Sequence, residues 1–280
     1  MISGLYDIKI EGVKPKELSL KFKDELAEQL HTSDYNLAKL LYLQYDNKNL
    51  LNLLLKQNKP FIPMGNYTLE YLDEQIKDPT DIVYYMANII NNFNEGKVEN
   101  SNLFCENNLQ SLYYEYVFQV KNSFLKQWFR FNRDIKNILS AVNCRKYNYN
   151  IENQLISVKN ENNIYNILIK RGPKVELLAD EVPFVDELLQ IATSEMDITD
   201  KEKAIDLIKW KFLDEQTIFN YFTIEKVLSY IIKLEILERW IKLDNETGEV
   251  ILNKLINDMK TSYKFSDEFI LLQNREFANN

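Results

Sequence analysis

Between Gly96 and Gly172 the chain carries neither glycine nor proline, and its apolar positions recur every three or four residues. Leu109, Leu112, Tyr113, Tyr116, Val117, Val120, Phe124, Trp128, Phe131, Ile135, Ile138, Leu139 and Val142 make up the main stripe. That period is helical. A second stripe of Tyr114, Phe118, Leu125 and Phe129 lies off the first, so this helix is expected to be covered on two sides and to sit centrally. Unbroken from Leu109 to Tyr147, it would reach about 60 Å at the helical rise per residue.

Shorter helices flank it. Pro15 precedes one carrying Leu18, Phe22, Leu26 and Leu30; Ser33 or Asp34 caps a second with Leu37, Leu40 and Leu41; residues 47–57 read as a third. Pro60, Pro63 and Gly65 mark a loop before Thr68 starts a helix through Ile76, and another helix follows Pro79. The polar run over residues 95–107 is the first candidate linker and residues 170–183 the next, although neither separates domains.

Toward the C-terminus, Thr199-Asp200-Lys201-Glu202 has the form of a capping box and starts a helix holding Ile205, Ile208 and Phe212. Thr223 opens a helix to about Leu243, in which Glu235 with Arg239 and Glu238 with Lys242 stand four apart and are expected to mark its wet side. A last helix is expected over residues 250–259. A short strand over residues 5–10 is the one departure from helix that the pattern permits. The expected fold is all-α: a single domain over 1–280 built of two or three bundle-like sub-repeats (about 1–95, 96–180 and 181–280) with one long central helix.

Composition narrows the chemistry. The 280 residues are 45% hydrophobic and 27% charged, the balance of a folded globular protein. With 34 basic against 42 acidic residues the net charge is -8, which disfavours a phosphate backbone and so nucleic acid as a partner. Cys105 and Cys144 are the only cysteines, too few for a disulfide framework or a four-cysteine zinc site, and read as ordinary thiols in a reducing compartment. His31 is the only histidine and stands beside Thr32-Ser33-Asp34 at a helix junction, where a structural role outweighs a catalytic one. The glycines at 65, 96 and 172 are isolated, so no phosphate loop is present. No apolar run reaches the ~18 residues of a membrane span. No catalytic residue, cofactor or metal is expected.

An internal repeat is the most informative feature. Residues 41–51 read Leu-Tyr-Leu-Gln-Tyr-Asp-Asn-Lys-Asn-Leu-Leu and residues 129–139 read Phe-Arg-Phe-Asn-Arg-Asp-Ile-Lys-Asn-Ile-Leu. Both contain Asp-x-x-Asn followed by an apolar residue and Leu, offset by 88 residues (134 minus 46). That is longer than standard solenoid periods and suggests duplicated bundles. A third copy near Trp240-Ile241-Lys242-Leu243-Asp244 is degraded, with Thr247 in place of the Asn and Gly248 in place of the next apolar residue.

These segments resemble an uncharacterised bacterial family that accompanies V/A-type rotary ATPases in place of their C-type subunit, the relative of the eukaryotic d-type subunit. The likeness is densest at Tyr45-Asp46-Asn47-Lys48-Asn49-Leu50-Leu51, Tyr113-Tyr114-Glu115-Tyr116, Trp128-Phe129, Asn137-Ile138-Leu139 and Arg145-Lys146. It is strongest at Leu207-Ile208-Lys209-Trp210-Lys211-Phe212-Leu213, Asn220-Tyr221-Phe222-Thr223-Ile224-Glu225 and Leu237-Glu238-Arg239-Trp240. The C-type subunits are all-helical, roughly threefold-repeated sockets with Asp-x-x-Asn followed by an Arg, and Asp134, Asn137 and Arg145 look like that motif. The resemblance implies a socket-like fold of this kind and a non-catalytic connecting role, with central-stalk and rotor-ring subunits as partners. It also implies a cytoplasmic protein held at the inner membrane through the complex. A general helical protein-interaction adaptor unrelated to ATPases is the alternative.

Two readings stand for each motif. Asp46/Asn49 and Asp134/Asn137 share a helix face by their spacing, and either contact a partner or cap or kink a neighbouring helix terminus within the chain. Arg145 and Lys146 face a partner or neutralise the carbonyl end of the long helix. Lys209, Trp210, Glu235, Arg239 and Trp240 complete the partner-binding candidates, the aromatic ones having the residue types of interface anchors and equally of core.

Overall fold

The computed structural model describes residues 18–97, 102–159, 163–171, 182–220 and 223–243. Among them are ten helices and no strand: α1 (Leu18–Gln29), α2 (Thr32–Leu54), α3 (Leu69–Lys77), α4 (Tyr84–Asn94), α5 (Asn102–Val117), α6 (Ser123–Tyr147), α7 (Asn163–Arg171), α8 (Val185–Thr193), α9 (Ile198–Thr217) and α10 (Ile224–Leu243). The protein is all-α. The expected strand over 5–10, the helix over 250–259 and the motif positions Asp244, Thr247 and Gly248 of the degraded third copy lie outside the described residues.

The chain divides into two compact units. One takes in Met1–Phe22 and Thr217–Asn280, the other Lys23–Gln216. In the larger unit, α2, α4 and α5 pack on one another with α3 against α2, α5 leads to α6, and α6 packs on α7 and α8. Tyr85 of α4 donates its hydroxyl to Asn47 Oδ1 of α2 at 2.7 Å, and Tyr113 of α5 donates to the Leu40 carbonyl at 3.2 Å, so the tyrosine-rich positions of the stripe act as core side chains with polar tips. On the other side of α6, Phe131 stacks on Phe212 of α9 at 4.0 Å and meets the edge of Phe184 at 4.7 Å.

The long central helix is broken. Val117 ends α5, and α6 begins at Ser123 with Asn122 as its N-cap, its side chain accepting from the Leu125 N–H at 2.9 Å. The apolar period runs through this break because both helices turn the same face to the same core: Tyr113 on α5 meets Phe129 on α6 at 6.0 Å. A polar start signal thus overrode an uninterrupted hydrophobic stripe. The opposite correction applies to α2, which runs continuously over 23 residues where two helices were expected. Its interior polar residues Asp46, Asn47 and Asn49, at the junction expected between those two helices, are buried inside one helix.

Helix starts elsewhere follow the expected signals with small shifts. Thr68 caps α3, accepting from the Tyr71 N–H at 3.2 Å. α2 is capped by His31, whose ring nitrogen accepts from the Ser33 N–H, in place of Ser33 or Asp34. For α9 the cap is Asp197, accepting from the Asp200 N–H at 2.8 Å, two residues ahead of the expected Thr199.

In the smaller unit the expected wet side of α10 is a correction. Ser229, Lys233 and Glu238 are all buried there beside Val227, Leu228, Ile231, Leu234 and Leu237, leaving Arg239 exposed. The Glu238 carboxylate accepts from the Ser19 N–H at 2.5 Å, so it caps the first turn of α1 from a helix 219 residues away. Phe22 meets Tyr230 edge-on at 4.9 Å beside this contact.

Candidate functional site

The repeated motif occupies two equivalent places. In the first, Asn49 Nδ2 donates to the Ile62 carbonyl at 2.8 Å while its Oδ1 accepts from the Ile62 N–H at 2.9 Å. In the second, Asn137 Nδ2 donates to the Ile156 carbonyl at 3.0 Å and its Oδ1 accepts from the Ile156 N–H at 2.8 Å. Each asparagine satisfies both backbone groups of one residue in the loop that follows its own helix, as a neighbouring strand would. The targets are therefore loops within the chain, and not the helix termini considered from the sequence.

The loops reach the asparagines by the same route. Non-glycine residues in the left-handed region follow both helices, Lys56 (φ 51°) after α2 and Asn148 (φ 55°) after α6, and turn the chain back along its helix. Lys56 lies seven residues after Asn49 and Asn148 eleven after Asn137 (56 minus 49; 148 minus 137). α2 ends five residues past Asn49 (54 minus 49) and α6 ten past Asn137 (147 minus 137), so the second helix runs on by more than one further turn. Its returning loop is longer in step, with Ile62 six residues past Lys56 and Ile156 eight past Asn148.

The aspartates of both copies are buried beside the asparagines. Asp46, wholly buried, accepts from the Asn66 N–H at 2.9 Å, from Asn66 Nδ2 at 2.8 Å and from the Tyr67 N–H at 3.1 Å, fastening the far end of the first loop. Burial pushes its carboxyl above the usual range against these donors and the nearby Lys23. Lys23 Nζ donates to the Gly65 carbonyl, and a Cβ on Gly65 would stand 2.2 Å from Asp46 Oδ1, so only glycine lets the loop close over the carboxylate. In the second copy Asp134 Oδ1 accepts from Arg133 Nε at 2.8 Å and Nη2 at 2.6 Å, both side chains buried, and the guanidinium lies over the Phe118 ring. Arg133 was not singled out from the sequence, and Gly65 was read only as part of the loop before Thr68, not as the residue that lets that loop close over Asp46.

The partner-binding candidates are dispersed. Arg145 and Lys146 are exposed in the last turn of α6. Lys209 and the half-buried Trp210 lie on α9, with Lys209 Nζ 3.3 Å from the fully buried Asp206. Burial, with the Lys136 ammonium adding repulsion, brings Lys209 down to about 8. Glu235, Arg239 and Trp240 belong to α10 of the other unit, where Trp240 is buried and Glu235 half-buried.

Cys105 and Cys144 are buried and their thiols pushed up by burial. Among the described residues no three His, Cys, Asp or Glu side chains stand together as a metal site, and no helix is long and apolar enough to cross a membrane.

A family model described as a protein of unknown function (DUF2764) matches residues 1–263, nearly the whole chain. The chain belongs to the DUF2764 family. No curated protein and no solved structure matches it. The match spans both copies of the clamp.

Proposed function

We propose that this DUF2764 protein is a non-catalytic connecting subunit of a V/A-type rotary ATPase, seating the central stalk on the membrane rotor ring. The observation that supports the reading is the duplicated clamp. Buried asparagines and aspartates, the polar groups a site would employ, are used here to bind loops rigidly to helices at two places in one chain. A part that transmits torque has to hold its backbone fixed under load, and bidentate amide-to-backbone pairs do that more strictly than apolar packing alone. The sequence likeness to the family that accompanies these ATPases points the same way.

A joint that survives turnover calls for nanomolar affinity, about -12 kcal/mol, and an interface above about 2,000 Å². Co-expression with stalk and ring subunits, followed by size-exclusion chromatography, tests this. A complex containing both, lost when this chain is omitted, is the expected result. Failure to join either, or nucleotide binding by the isolated chain tighter than about 100 μM in calorimetry, would overturn the reading.

A further inference from the structure

The larger unit carries a groove of about 1410 Å³ between the last turns of α6, the turn after it, the end of α8 and the start of α9. α6 and α9 run antiparallel along it, since Phe131 of α6 stacks on Phe212 near the end of α9 while the end of α6 and the start of α9 line the groove. Four large apolar side chains stand exposed on it: Tyr147 (57%), Tyr149 (63%), Met196 (43%) and Ile198 (78%). Exposed apolar groups clustered on a concave surface mark an interaction site.

Its two walls carry opposite charge. Arg145 and Lys146 stand exposed on the α6 side, whereas Glu195 and Glu202 stand exposed on the α8–α9 side. The lysine on that second side, Lys201, donates to the Ala192 carbonyl at 3.1 Å and so caps α8, leaving that wall acidic. The volume exceeds the range of about 300–1,000 Å³ typical of small-molecule pockets. A helix about 10 Å across, by contrast, suits a trough between antiparallel helices.

We propose that this groove receives an amphipathic helix of a partner protein, carrying an apolar stripe with acidic residues along one flank and basic residues along the other. The stripe covers Tyr147, Tyr149, Met196 and Ile198. The acidic flank lies against Arg145 and Lys146 and the basic flank against Glu195 and Glu202, which fixes the direction of the helix in the groove. The proposal stands whether or not the chain joins a rotary ATPase.

The test uses the full chain and fluorescein-labelled synthetic helices of about 18 residues with a leucine stripe. One has Glu on one flank and Lys on the other; the controls have both flanks Glu, both flanks Lys, or the stripe replaced by Ser. Fluorescence anisotropy should show micromolar binding of the sided helix, ~10-fold tighter than any control. Arg145→Glu with Lys146→Glu should weaken it ~10-fold, and adding Glu195→Lys with Glu202→Lys should restore it, because the helix then enters in the opposite direction. Tyr149→Ser with Ile198→Ser should weaken it on either background. All of these positions are exposed, and unchanged circular dichroism melting verifies that the variants fold. Equal binding of a uniformly charged helix, indifference to the substitutions, or no binding up to about 200 μM would overturn the proposal. A concentration-dependent dimer abolished by Ile198→Ser would do so too, by assigning the groove to a second copy of this chain.

Discussion

Asn137 holds Ile156 through the same two side-chain atoms with which Asn49 holds Ile62, 88 residues earlier in the chain. The two loops differ in length and sequence, so the shared element is the device itself: a helix, a left-handed stop, and a returning loop pinned at one residue. An extra turn of helix after the second motif is matched by extra loop residues, which keeps the pinned residue level with its asparagine.

Removing the second clamp should therefore destabilise the fold. Asn137→Ala leaves the buried N–H and carbonyl of Ile156 without these partners, at a cost of roughly 2–4 kcal/mol. Asn137→Asp keeps the shape but turns a carboxylate oxygen toward the Ile156 carbonyl. Its acid would titrate above the normal range in the folded state, so the loss relative to wild type should shrink as the pH falls from 7 to 5. Urea denaturation at both pH values measures each effect; an alanine variant within about 0.5 kcal/mol of wild type would show that the clamp contributes little.

Gly65 and Gly96 separate steric from conformational need. Gly65→Ala places a Cβ 2.2 Å from Asp46 Oδ1, and the displaced carboxylate gives up donors from Asn66 and Tyr67. A loss of about 1–3 kcal/mol is expected, the overpacking range, with faster hydrogen exchange at both amides. Gly96 has a φ of +67° and nothing within 4 Å of an added Cβ, so Gly96→Ala should cost only the ~1 kcal/mol of left-handed backbone. Thermal unfolding of the pair would show the order; equal losses would remove the steric explanation.

The helical period was legible wherever burial alone set it, as in the stripes through Tyr113, Trp128 and Ile138. Legibility ended where a polar side chain had a partner distant in sequence. Asp46 and Asn49 share a helix face by their spacing, but the loop they bind lies 13 to 21 residues downstream, and nothing local announces that partner. Asn122 went unnoticed as a helix start among 32 asparagines, with the apolar pattern continuing past it. Glu238 fits an i, i+4 pair with Lys242 and so resembled a surface residue, while its actual role is to cap a helix at the other end of the chain. In the groove, Tyr147, Tyr149, Met196 and Ile198 show no periodic signal because they come from helix ends and turns.

Glu238 provides a test of that long-range cap. Glu238→Ala should cost roughly 1–3 kcal/mol, because the buried Ser19 N–H loses a charged acceptor, and Glu238→Gln should recover part of it. Hydrogen exchange at Ser19 and along α10 should quicken in the alanine variant. Unchanged exchange at Ser19 would show that another group serves this helix start.

Lys209 gives a pH signature. Its folded value of about 8 lies below its ordinary 10.5, chiefly through burial and then through repulsion from Lys136, with Glu202 acting in the opposite direction. The unfolded chain therefore binds more protons between those values. The penalty for folding with a charged Lys209 is complete below pH 8 and fades as the pH rises toward 10.5, roughly 1–3 kcal/mol in all. Relative to Lys209→Met, which lacks the titration, the wild type should gain stability between pH 7.5 and 10. Acylation of the Lys209 amine, followed by mass spectrometry, should reach its plateau rate near pH 8.5 while exposed lysines such as Lys146 continue to rise. A stability difference that stays flat with pH, together with Lys209 reacting in step with Lys146, would mean that the amine remains an ordinary ammonium beside Asp206.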